Sequence, residues 1–480
     1  PSPIALGITF PRPVSIIMLR TFYIYILLSL FAIAYAVDGV RSPYPSPSMT
    51  EETPPDTTEA ATLADETLPD TLDAAADTLD TDTITADSIP QKTVQERIAT
   101  LLEADMFQTS QVGLMADDLT ADTVIYAYNE RQTLRPASTM KLLTAITALD
   151  RFGDSYRYTT SLKYRGALYD MPSAPDADED EPRRILVGDI IAVGGMDPRF
   201  GTDDMKAFAE AVHRERIDTV YGEVRGDRTF KSADLLGRGW CWDDDNPVLT
   251  PLPWNRKDTF VEKLLAALAD EGVTVLPRTA IPKDTLGETR FVPRPETSRT
   301  ICSRHHSIDQ ILIRMMKESD NLYAESMFYQ IAAAETSSGA RASHAVNAMK
   351  RLIRRIGLDP SRYHIADGSG LSLYNYQTAE LQTRLLRYAF NNPDIYGHLY
   401  PSLPIAGRDG TLKRRMRSAP CLGNVRAKTG TLMGVSSLAG YLTARNGSII
   451  CFSILNQGVM HASNAKRFQD KVCAILSCYE

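Results

Sequence analysis

The chain changes character near residue 91, and this change limits where a folded core can form. Residues 37–91 consist mainly of Thr, Asp, Ala, Glu and Pro, and residues 51–90 hold twelve Asp or Glu and no Lys or Arg. A segment so acidic and so poor in apolar side chains cannot bury enough surface to fold. We therefore predict a disordered acidic tether over 37–91, either a spacer or simply a solubilising linker.

The rest of the chain has the composition of an ordinary globular protein. The chain has 480 residues, 43% of them hydrophobic and 23% charged, a length that suggests two or three domains. Its formal charge is −8, so the charge of −12 on residues 51–90 leaves +4 on the remainder. The acidity thus belongs to the tether, and we expect no nucleic-acid partner.

Residues 18–36 have the pattern of a secretory signal peptide. The sequence begins with Pro1, so Met18 is the first candidate for a translation start. A basic start is followed by an apolar run over 22–34 and by a small-x-small site that ends at Ala36. We predict cleavage after Ala36 and export to the periplasm or cell envelope. The alternative is an uncleaved membrane anchor, which the short apolar run disfavours.

Cysteine and histidine spacing gives no sign of a metal site. Six Cys are too few and too scattered for a disulfide scaffold, and seven His lack metal-ligand spacing. We expect no metal and no organic cofactor. Disulfide pairing stays open, because an exported chain permits it but the sequence does not assign it.

Hydrophobic periodicity predicts helices and strands along the folded part. Residues 159–283 mix short strands, turn signals and an acidic loop at 176–181, so we interpret them as an insertion. The Asn446-Gly447 pair is a strong hairpin signal. The expected helices begin near Thr93, just after Pro136 and after Ala462, or cover 260–268, 307–334 and 346–356; the expected hairpin strands are 112–115 with 124–128 and a pair around 446–447.

Three short motifs contain groups suited to covalent amide hydrolysis, which needs a nucleophile, a base and oxyanion donors. The first is Ser138-Thr139-Met140-Lys141. Residues three apart share one face of a helix, so the Lys141 amine can lie against the Ser138 hydroxyl. A helix N-terminus also favours the negative charge of attack. Ser-x-x-Lys is common by chance, and the alternative is a helix start with an exposed lysine.

The second motif is Ser319-Asp320-Asn321, in a mostly helical region. Ser319 can relay a proton toward a leaving amine. Asn321 can donate to a substrate carbonyl while it accepts from a lysine. The alternative is a polar interruption between two helices.

The third motif is Lys428-Thr429-Gly430-Thr431, at the approach to a predicted edge strand. Gly430 keeps the strand edge clear, so that a substrate backbone can pair alongside it. Lys428 brings a positive charge to the site. Taken alone, the segment is equally consistent with an exposed turn.

Together, in the order Ser-x-x-Lys, Ser-x-Asn and Lys-Thr-Gly, the motifs resemble the set found in penicillin-binding proteins and serine β-lactamases. Longer stretches are similar to the low-molecular-mass class C penicillin-binding proteins, the D-alanyl-D-alanine carboxypeptidase/endopeptidase family. The resemblance covers nearly everything after the tether. The similar stretches are 135–141, 317–325, 367–372, 406–412 and 427–441.

The resemblance implies an α+β fold of the penicillin-binding protein and serine β-lactamase type. Such a fold has an antiparallel sheet flanked by helices, a helical subdomain that bears Ser319, and here an inserted, mostly β domain. We expect a catalytic domain of 92–158 and 284–480 and an inserted domain of 159–283. The site should lie where the sheet meets the helical subdomain.

The resemblance also implies roles for the motif residues. The penultimate D-Ala carbonyl would acylate Ser138, with Lys141 as general base, Ser319 and Asn321 managing proton transfer and orientation, and Lys428 giving electrostatic support. The N–H groups of Ser138 and Thr431 would form the oxyanion hole, and Thr429, Gly430 and Thr431 would contact substrate. The expected partners are peptidoglycan stem peptides and, as covalent inhibitors, β-lactams, with peripheral membrane or wall association.

The chain departs from the family at two places. Family members often have a basic residue after Gly-Leu-Ser that helps to bind a stem-peptide carboxylate, whereas this chain has Leu373. The gap between the first two motifs is short, so we expect one of the family's two inserted subdomains to be missing. Within the insertion, segments 194–198 and 237–244 are similar to the family, and Asp227 and Phe230 are candidates to reach the substrate.

Two other functions remain as alternatives. A serine β-lactamase would share the motifs, but no Glu-x-x-Leu-Asn segment follows Asn321 to position a deacylating water, and the chain is long for that class. A catalytically weak peptidoglycan-binding scaffold would keep the fold, although all five motif residues are intact. The sequence does not choose between carboxypeptidase and endopeptidase activity.

Overall fold

The structure, a computed structural model, describes residues 92–170, 183–281 and 297–480. The expected signal peptide over 18–36, the expected tether over 37–91 and the acidic loop at 176–181 lie outside the described residues. Within the ranges that are described, no helix has both the length and the hydropathy to cross a bilayer.

The described residues contain ten α-helices. They confirm the expected helices, except that the stretch 307–334 is two helices and that some ends differ by a few residues; helices 202–214, 379–390 and 393–402 were not predicted. The helices are α1 (Val94–Leu102), α2 (Met140–Phe152), α3 (Thr202–Arg214), α4 (Phe260–Asp270), α5 (Ile308–Lys317), α6 (Asn321–Ala333), α7 (Ala342–Arg355), α8 (Ala379–Phe390), α9 (Pro393–Ser402) and α10 (Ala462–Ser477).

A five-stranded antiparallel sheet has the Lys-Thr-Gly motif on its edge strand. Its strands are β1 (Gln111–Asp118), β2 (Thr123–Tyr128), β9 (Arg426–Leu432), β10 (Val435–Thr443) and β11 (Ile449–Gln457). The spatial order is β2-β1-β11-β10-β9, which places β9 at the edge as predicted. Both predicted hairpins are confirmed, because β1 pairs with β2 and β10 pairs with β11 around Asn446-Gly447.

The side chains of β10 and β11 alternate between two cores. Tyr441 and Cys451 lie in the core shared with α8, whereas Leu438 and Phe452 lie in the core shared with α10, and all four are fully buried. Successive side chains of a strand point to opposite faces, so strands that are apolar at every position must be covered on both sides. The sheet is therefore a middle layer between helices.

Helix α2 lies inside the helical subdomain rather than on its surface. Ten of its thirteen residues are buried, including Lys141. It packs against α6, α8 and α9. The motif at its start is thus held by helices from later parts of the chain.

A sharp backbone turn separates α5 from α6. Ser319 has a φ of +62°, a conformation that ends a helix. Asp320 then caps α6, because its carboxylate accepts hydrogen bonds from the N–H groups of Leu322 (2.9 Å) and Tyr323 (3.4 Å). The amphipathic pattern over 307–334 is correct, but the local chemistry of Ser319-Asp320 interrupts it.

A second, mixed sheet forms the inserted part. Its strands are β3 (Arg157–Asp170), β4 (Arg184–Val193), β5 (Ile217–Tyr221), β6 (Val224–Asp227), β7 (Thr274–Leu276) and β8 (Thr297–Ser307). Because β3 pairs antiparallel with both β4 and β8, this sheet spans residues 157–307, wider than the expected 159–283. Helices α3 and α4 cover it through Phe208 and Phe260.

We predict that the sheet between the helical layers is the main source of stability. Phe452→Ala empties a fully buried position on β11, and we expect it to lower the free energy of unfolding by about 3–5 kcal/mol, measured by urea unfolding. Val124→Ala, at a residue 54% exposed on edge strand β2, is the control and should change it by less than about 0.5 kcal/mol. Equal effects of the two substitutions would contradict this view of the core.

Candidate active site

Ser138 lies in a strained turn at the head of α2. Residues 137–139 form one 3-10 turn directly before the α-helix, so the helix begins slightly later than the sequence predicts. Ala137 has a φ of +47°, unusual for a residue with a side chain. The backbone at Gly370 packs closely against this turn, because a Cβ on Gly370 would overlap the Ala137 carbonyl. Ser138 itself stays half-exposed.

Lys141 is the second residue of α2, and its amine lies beside Ser138. Nζ is 3.1 Å from Ser138 Oγ, 2.7 Å from Asn321 Oδ1 and 2.8 Å from the Ser369 carbonyl oxygen. The side chain is fully buried. A neutral amine can donate to Asn321 and Ser369 and still direct its lone pair at the Ser138 hydroxyl. The geometry is therefore that of a base in contact with a nucleophile.

Burial changes the acidity of Lys141. Loss of solvation lowers its pKa to about 8, against the opposing attraction of Asp367, Glu325 and Asp320. Desolvation penalises the charged ammonium, so the neutral form becomes accessible near neutral pH. A lysine of ordinary pKa would remain protonated there.

Ser319 and Asn321 lie in and just after the turn between α5 and α6, and each contacts one lysine. Asn321 accepts from Lys141, and Ser319 accepts from Lys428. Lys428 Nζ donates to Ser319 Oγ at 2.8 Å and to the Thr429 carbonyl at 2.8 Å. Lys428 is fully buried, and burial, followed by repulsion from Lys141, lowers its pKa well below the usual value. The three motifs thus meet in one hydrogen-bonded group.

Gly430 brings β9 against the nucleophile turn. A Cβ at this position would overlap Ser437 Oγ and lie 2.8 Å from the Pro136 carbonyl oxygen and 2.9 Å from Ser138 N. The sequence predicts that this glycine leaves room for substrate. The structure adds a second reason, which is that any side chain here would push the strand off Ser138.

Thr429 and Thr431 lie on either side of Gly430 along the strand edge. Thr429 Oγ1 donates to Thr411 Oγ1 at 2.7 Å, and Thr431 is exposed. The N–H groups of Ser138 and Thr431 remain the predicted oxyanion hole.

The candidate residues of the insertion are placed differently from the motifs. Asp227 ends β6, and its carboxylate accepts from Thr229 N (2.9 Å) and Thr229 Oγ1 (2.7 Å), bonds that lower its pKa. Phe230 packs against the core of the helical subdomain. Among the described residues, neither makes a hydrogen bond to the three motifs. Their contact with substrate stays a prediction.

The loop that contains Leu373 lies beside the nucleophile and contacts the insertion. Arg135 Nε donates to the Leu373 carbonyl at 3.0 Å. From the insertion, Trp240 Nε1 donates to Asp367 Oδ2 at 2.9 Å. The carboxylate of Asp367 also accepts from the N–H groups of Gly370 and Ser372, which shapes the loop. The insertion therefore contacts the site through Trp240 and through Arg256, which pairs with Asp320 of the second motif at 3.4 Å, rather than through Asp227.

Two residues of the site were not predicted as site residues. Ser369 supplies a carbonyl to Lys141, and Glu325 accepts hydrogen bonds from the backbone of the same loop. Both lie within stretches that carry the family resemblance, 367–372 and 317–325. Their roles were missed because one acts through its main chain and the other lies in a helix that is buried along nearly all of its length.

The described residues contain no group of three or more His, Cys, Asp or Glu arranged to hold a metal ion. The six cysteines are all described, and each is a free thiol.

Comparison with known proteins gives one consistent result. The model of the D-Ala-D-Ala carboxypeptidase 3 (S13) family matches residues 94–253 and 254–478. The D-alanyl-D-alanine carboxypeptidase of Actinomadura sp. (strain R39) is 26% identical over 475 residues, 80% of this chain and 85% of that one. The D-alanyl-D-alanine carboxypeptidase DacB of Haemophilus influenzae is 24% identical over 72% of this chain and 84% of its own.

Solved structures agree on the fold. The crystal structure of penicillin-binding protein 4 (dacB) from Haemophilus influenzae superposes with a TM-score of 0.67 at 21% identity, covering 80% of this chain and 99% of that one. The predicted fold class, a sheet flanked by helices with a helical subdomain, is confirmed. With its family model matched across nearly all the described residues, the chain belongs to the D-Ala-D-Ala carboxypeptidase 3 (S13) family.

Proposed function

We propose that this protein hydrolyses the D-Ala-D-Ala end of peptidoglycan stem peptides through an acyl-enzyme on Ser138. The observation that carries the proposal is the contact of Lys141 Nζ with both Ser138 Oγ and Asn321 Oδ1. The contacts of Lys141 connect the Ser-x-x-Lys motif to the Ser-x-Asn motif. Lys428 connects the Lys-Thr-Gly motif to Ser319. A scaffold would have no need for two buried amines, because burying them costs free energy.

Acylation begins with proton transfer from Ser138. The neutral Lys141 amine accepts the hydroxyl proton while Oγ attacks the carbonyl carbon of the penultimate D-Ala. The oxyanion that forms would be stabilised by the N–H groups of Ser138 and Thr431. Collapse of this intermediate breaks the C–N bond and leaves Ser138 as an ester.

The leaving amine needs a proton as the C–N bond breaks. Ser319 Oγ is suited to relay it: the proton that Lys141 took from Ser138 passes on to the leaving amine, so Lys141 becomes neutral again, and Lys428 Nζ, which donates to Ser319 Oγ, keeps that hydroxyl in place. Asn321 keeps Lys141 in place meanwhile. In the second half of the reaction, Lys141 accepts a proton from water, the resulting hydroxide attacks the ester, and Ser138 is released with its proton.

The edge of β9 is suited to hold an extended peptide. Thr429, Gly430 and Thr431 lie on an edge strand of the first sheet, and a substrate backbone can add to such an edge by main-chain hydrogen bonds. The same edge would orient a β-lactam. Ring opening leaves the amine attached to the acyl group, which slows the attack of water; the Haemophilus influenzae relative was solved with a β-lactam bound.

The proposed substrate requires that the protein be exported. The substrate lies outside the cytoplasmic membrane, and the pattern over 18–36 supports cleavage after Ala36 and a periplasmic or envelope location. The acidic segment 37–91 would then be exported together with the enzyme as a spacer or a solubilising linker. Carboxypeptidase and endopeptidase activities share the same acylation and differ only in the amine that leaves.

Removal of the nucleophile is the first test. We expect Ser138→Ala to lower the release of D-Ala from purified pentapeptide muropeptides by about 1000-fold or more, read by mass spectrometry. The control is Ser463→Ala, the exposed serine of a second Ser-x-x-Lys match at the start of α10, which should keep full activity. Splitting of cross-linked dimers instead of D-Ala release would assign the endopeptidase form. Equal activity in Ser138→Ala would overturn the proposal.

Gly430 offers a geometric test of the same site. Because a Cβ would push β9 away from Ser138, we expect Gly430→Ala to slow acylation by a fluorescent penicillin about 100-fold. Gly397→Ala, in α9 with nothing within 4 Å of the added carbon, is the matched control and should acylate at the wild-type rate. Unimpaired labelling of Gly430→Ala would show that the strand is not held against the nucleophile.

A further inference from the structure

Glu325 is a buried acid directly behind the group that holds Lys141. It lies on α6, is 1% exposed, and Oε1 accepts from Ser369 N at 2.8 Å and from Gly368 N at 3.1 Å. The carbonyl of the same Ser369 accepts from Lys141 Nζ at 2.8 Å. Glu325 and Lys141 therefore bind opposite sides of one residue's backbone.

The backbone of 368–369 is fixed by side chains of two helices. From α2, Thr144 Oγ1 donates to the Gly368 carbonyl at 2.6 Å. From α6, Glu325 holds the two N–H groups. The N–H groups are buried, so loss of their acceptor would cost free energy and release the loop.

We propose that Glu325 is a positioning residue for Lys141, acting through the Ser369 carbonyl and through its own change of charge. The inference rests on the proposed function, because it assigns the control of the general base in that reaction. Glu325 does not touch the substrate in this scheme. It decides where the Lys141 amine lies and how readily that amine gives up its proton.

The charges around the pair support this coupling. Burial, and then the neighbouring Asp367, raise the pKa of Glu325 to about 8, while Lys141 opposes the rise. An ionised Glu325 would in turn favour the charged form of Lys141, as Asp367 and Asp320 do. The amine of Lys428 also lies close enough to Lys141 for their charges to repel.

Glu325 also lines a cavity of about 330 Å³ between α6 and the insertion. The other charged or titratable groups around this cavity are Asp234, Arg238, Tyr329 and Asp367. A neutral Glu325 thus adds no negative charge near Lys141, whereas an ionised one would hold the proton on the amine. Because the pKa values of Glu325 and Lys141 both lie at about 8, Glu325 becomes ionised over the pH range in which Lys141 loses its proton, and its negative charge then opposes that loss.

Two substitutions separate the positional effect from the charge effect. Glu325→Gln keeps the oxygen that accepts from Gly368 and Ser369 but cannot ionise, whereas Glu325→Ala removes the acceptor. The readout is the rate of acylation by benzylpenicillin from pH 5 to 10. Glu335→Gln, a carboxyl beyond the end of α6 that pairs with Arg351 at 2.6 Å, is the matched control.

We expect Glu325→Gln to keep the plateau rate and to move the acid limb of the profile to lower pH by about 0.5 to 1 unit. Glu325→Ala should lower the plateau about tenfold or more, with a melting curve that shows a folded protein. Glu335→Gln should match the wild type. If Glu325→Gln leaves the limb unmoved, or if folded Glu325→Ala acylates at the full rate, the inference is wrong. No acylation of the wild type at any pH would instead contradict the proposed function itself.

Discussion

The site depends on the burial of one amine. Lys141 is taken fully out of water, and its amine makes hydrogen bonds with Ser138, Asn321 and the Ser369 carbonyl. A buried ammonium costs far more free energy than a buried neutral amine, so burial lowers the pKa of Lys141. The neutral amine that results is suited to act as a base. The three partners come from the start of α2, the start of α6 and the 367–372 loop, and the base exists only when these parts are folded together.

The same packing holds strained backbone at Ser319 and at Ala137, the residue before Ser138. Ala137 and Ser319 have φ values of +47° and +62°, conformations that cost of order 1–3 kcal/mol each and persist only where the surroundings impose them. Gly370 and Gly430 allow the loop and the edge strand to approach the nucleophile turn closely. The helices around α2 and the covered sheet supply the burial that offsets this strain. The insertion takes part through Trp240, which binds the carboxylate of Asp367.

The sequence predicted what local patterns determine. Helical periodicity, the Asn446-Gly447 hairpin and the edge position of β9 follow from short-range chemistry, and the three motifs followed from their residue types. Contacts between residues far apart in the chain could not be predicted from the sequence. Glu325 accepts a hydrogen bond from the Ser369 N–H, and the Ser369 carbonyl accepts one from Lys141, which lies far earlier in the chain. A second Ser-x-x-Lys match begins at Ser463, and the order of the motifs sets it apart because it follows Lys-Thr-Gly. The folded chain agrees, since Ser463 is exposed whereas Ser138 contacts Lys141, which donates to Asn321.

A direct titration of the Lys141 amine shows whether this buried group has a lowered pKa. The measurement is NMR of the protein with lysine labelled at Cε and Nζ, with the Lys141 signal assigned by its loss in Lys141→Arg. We expect a midpoint at about 8, well below the usual 10.5. A midpoint at the ordinary value would mean that the amine remains charged near neutral pH, and it would contradict the role of Lys141 as the base that activates Ser138.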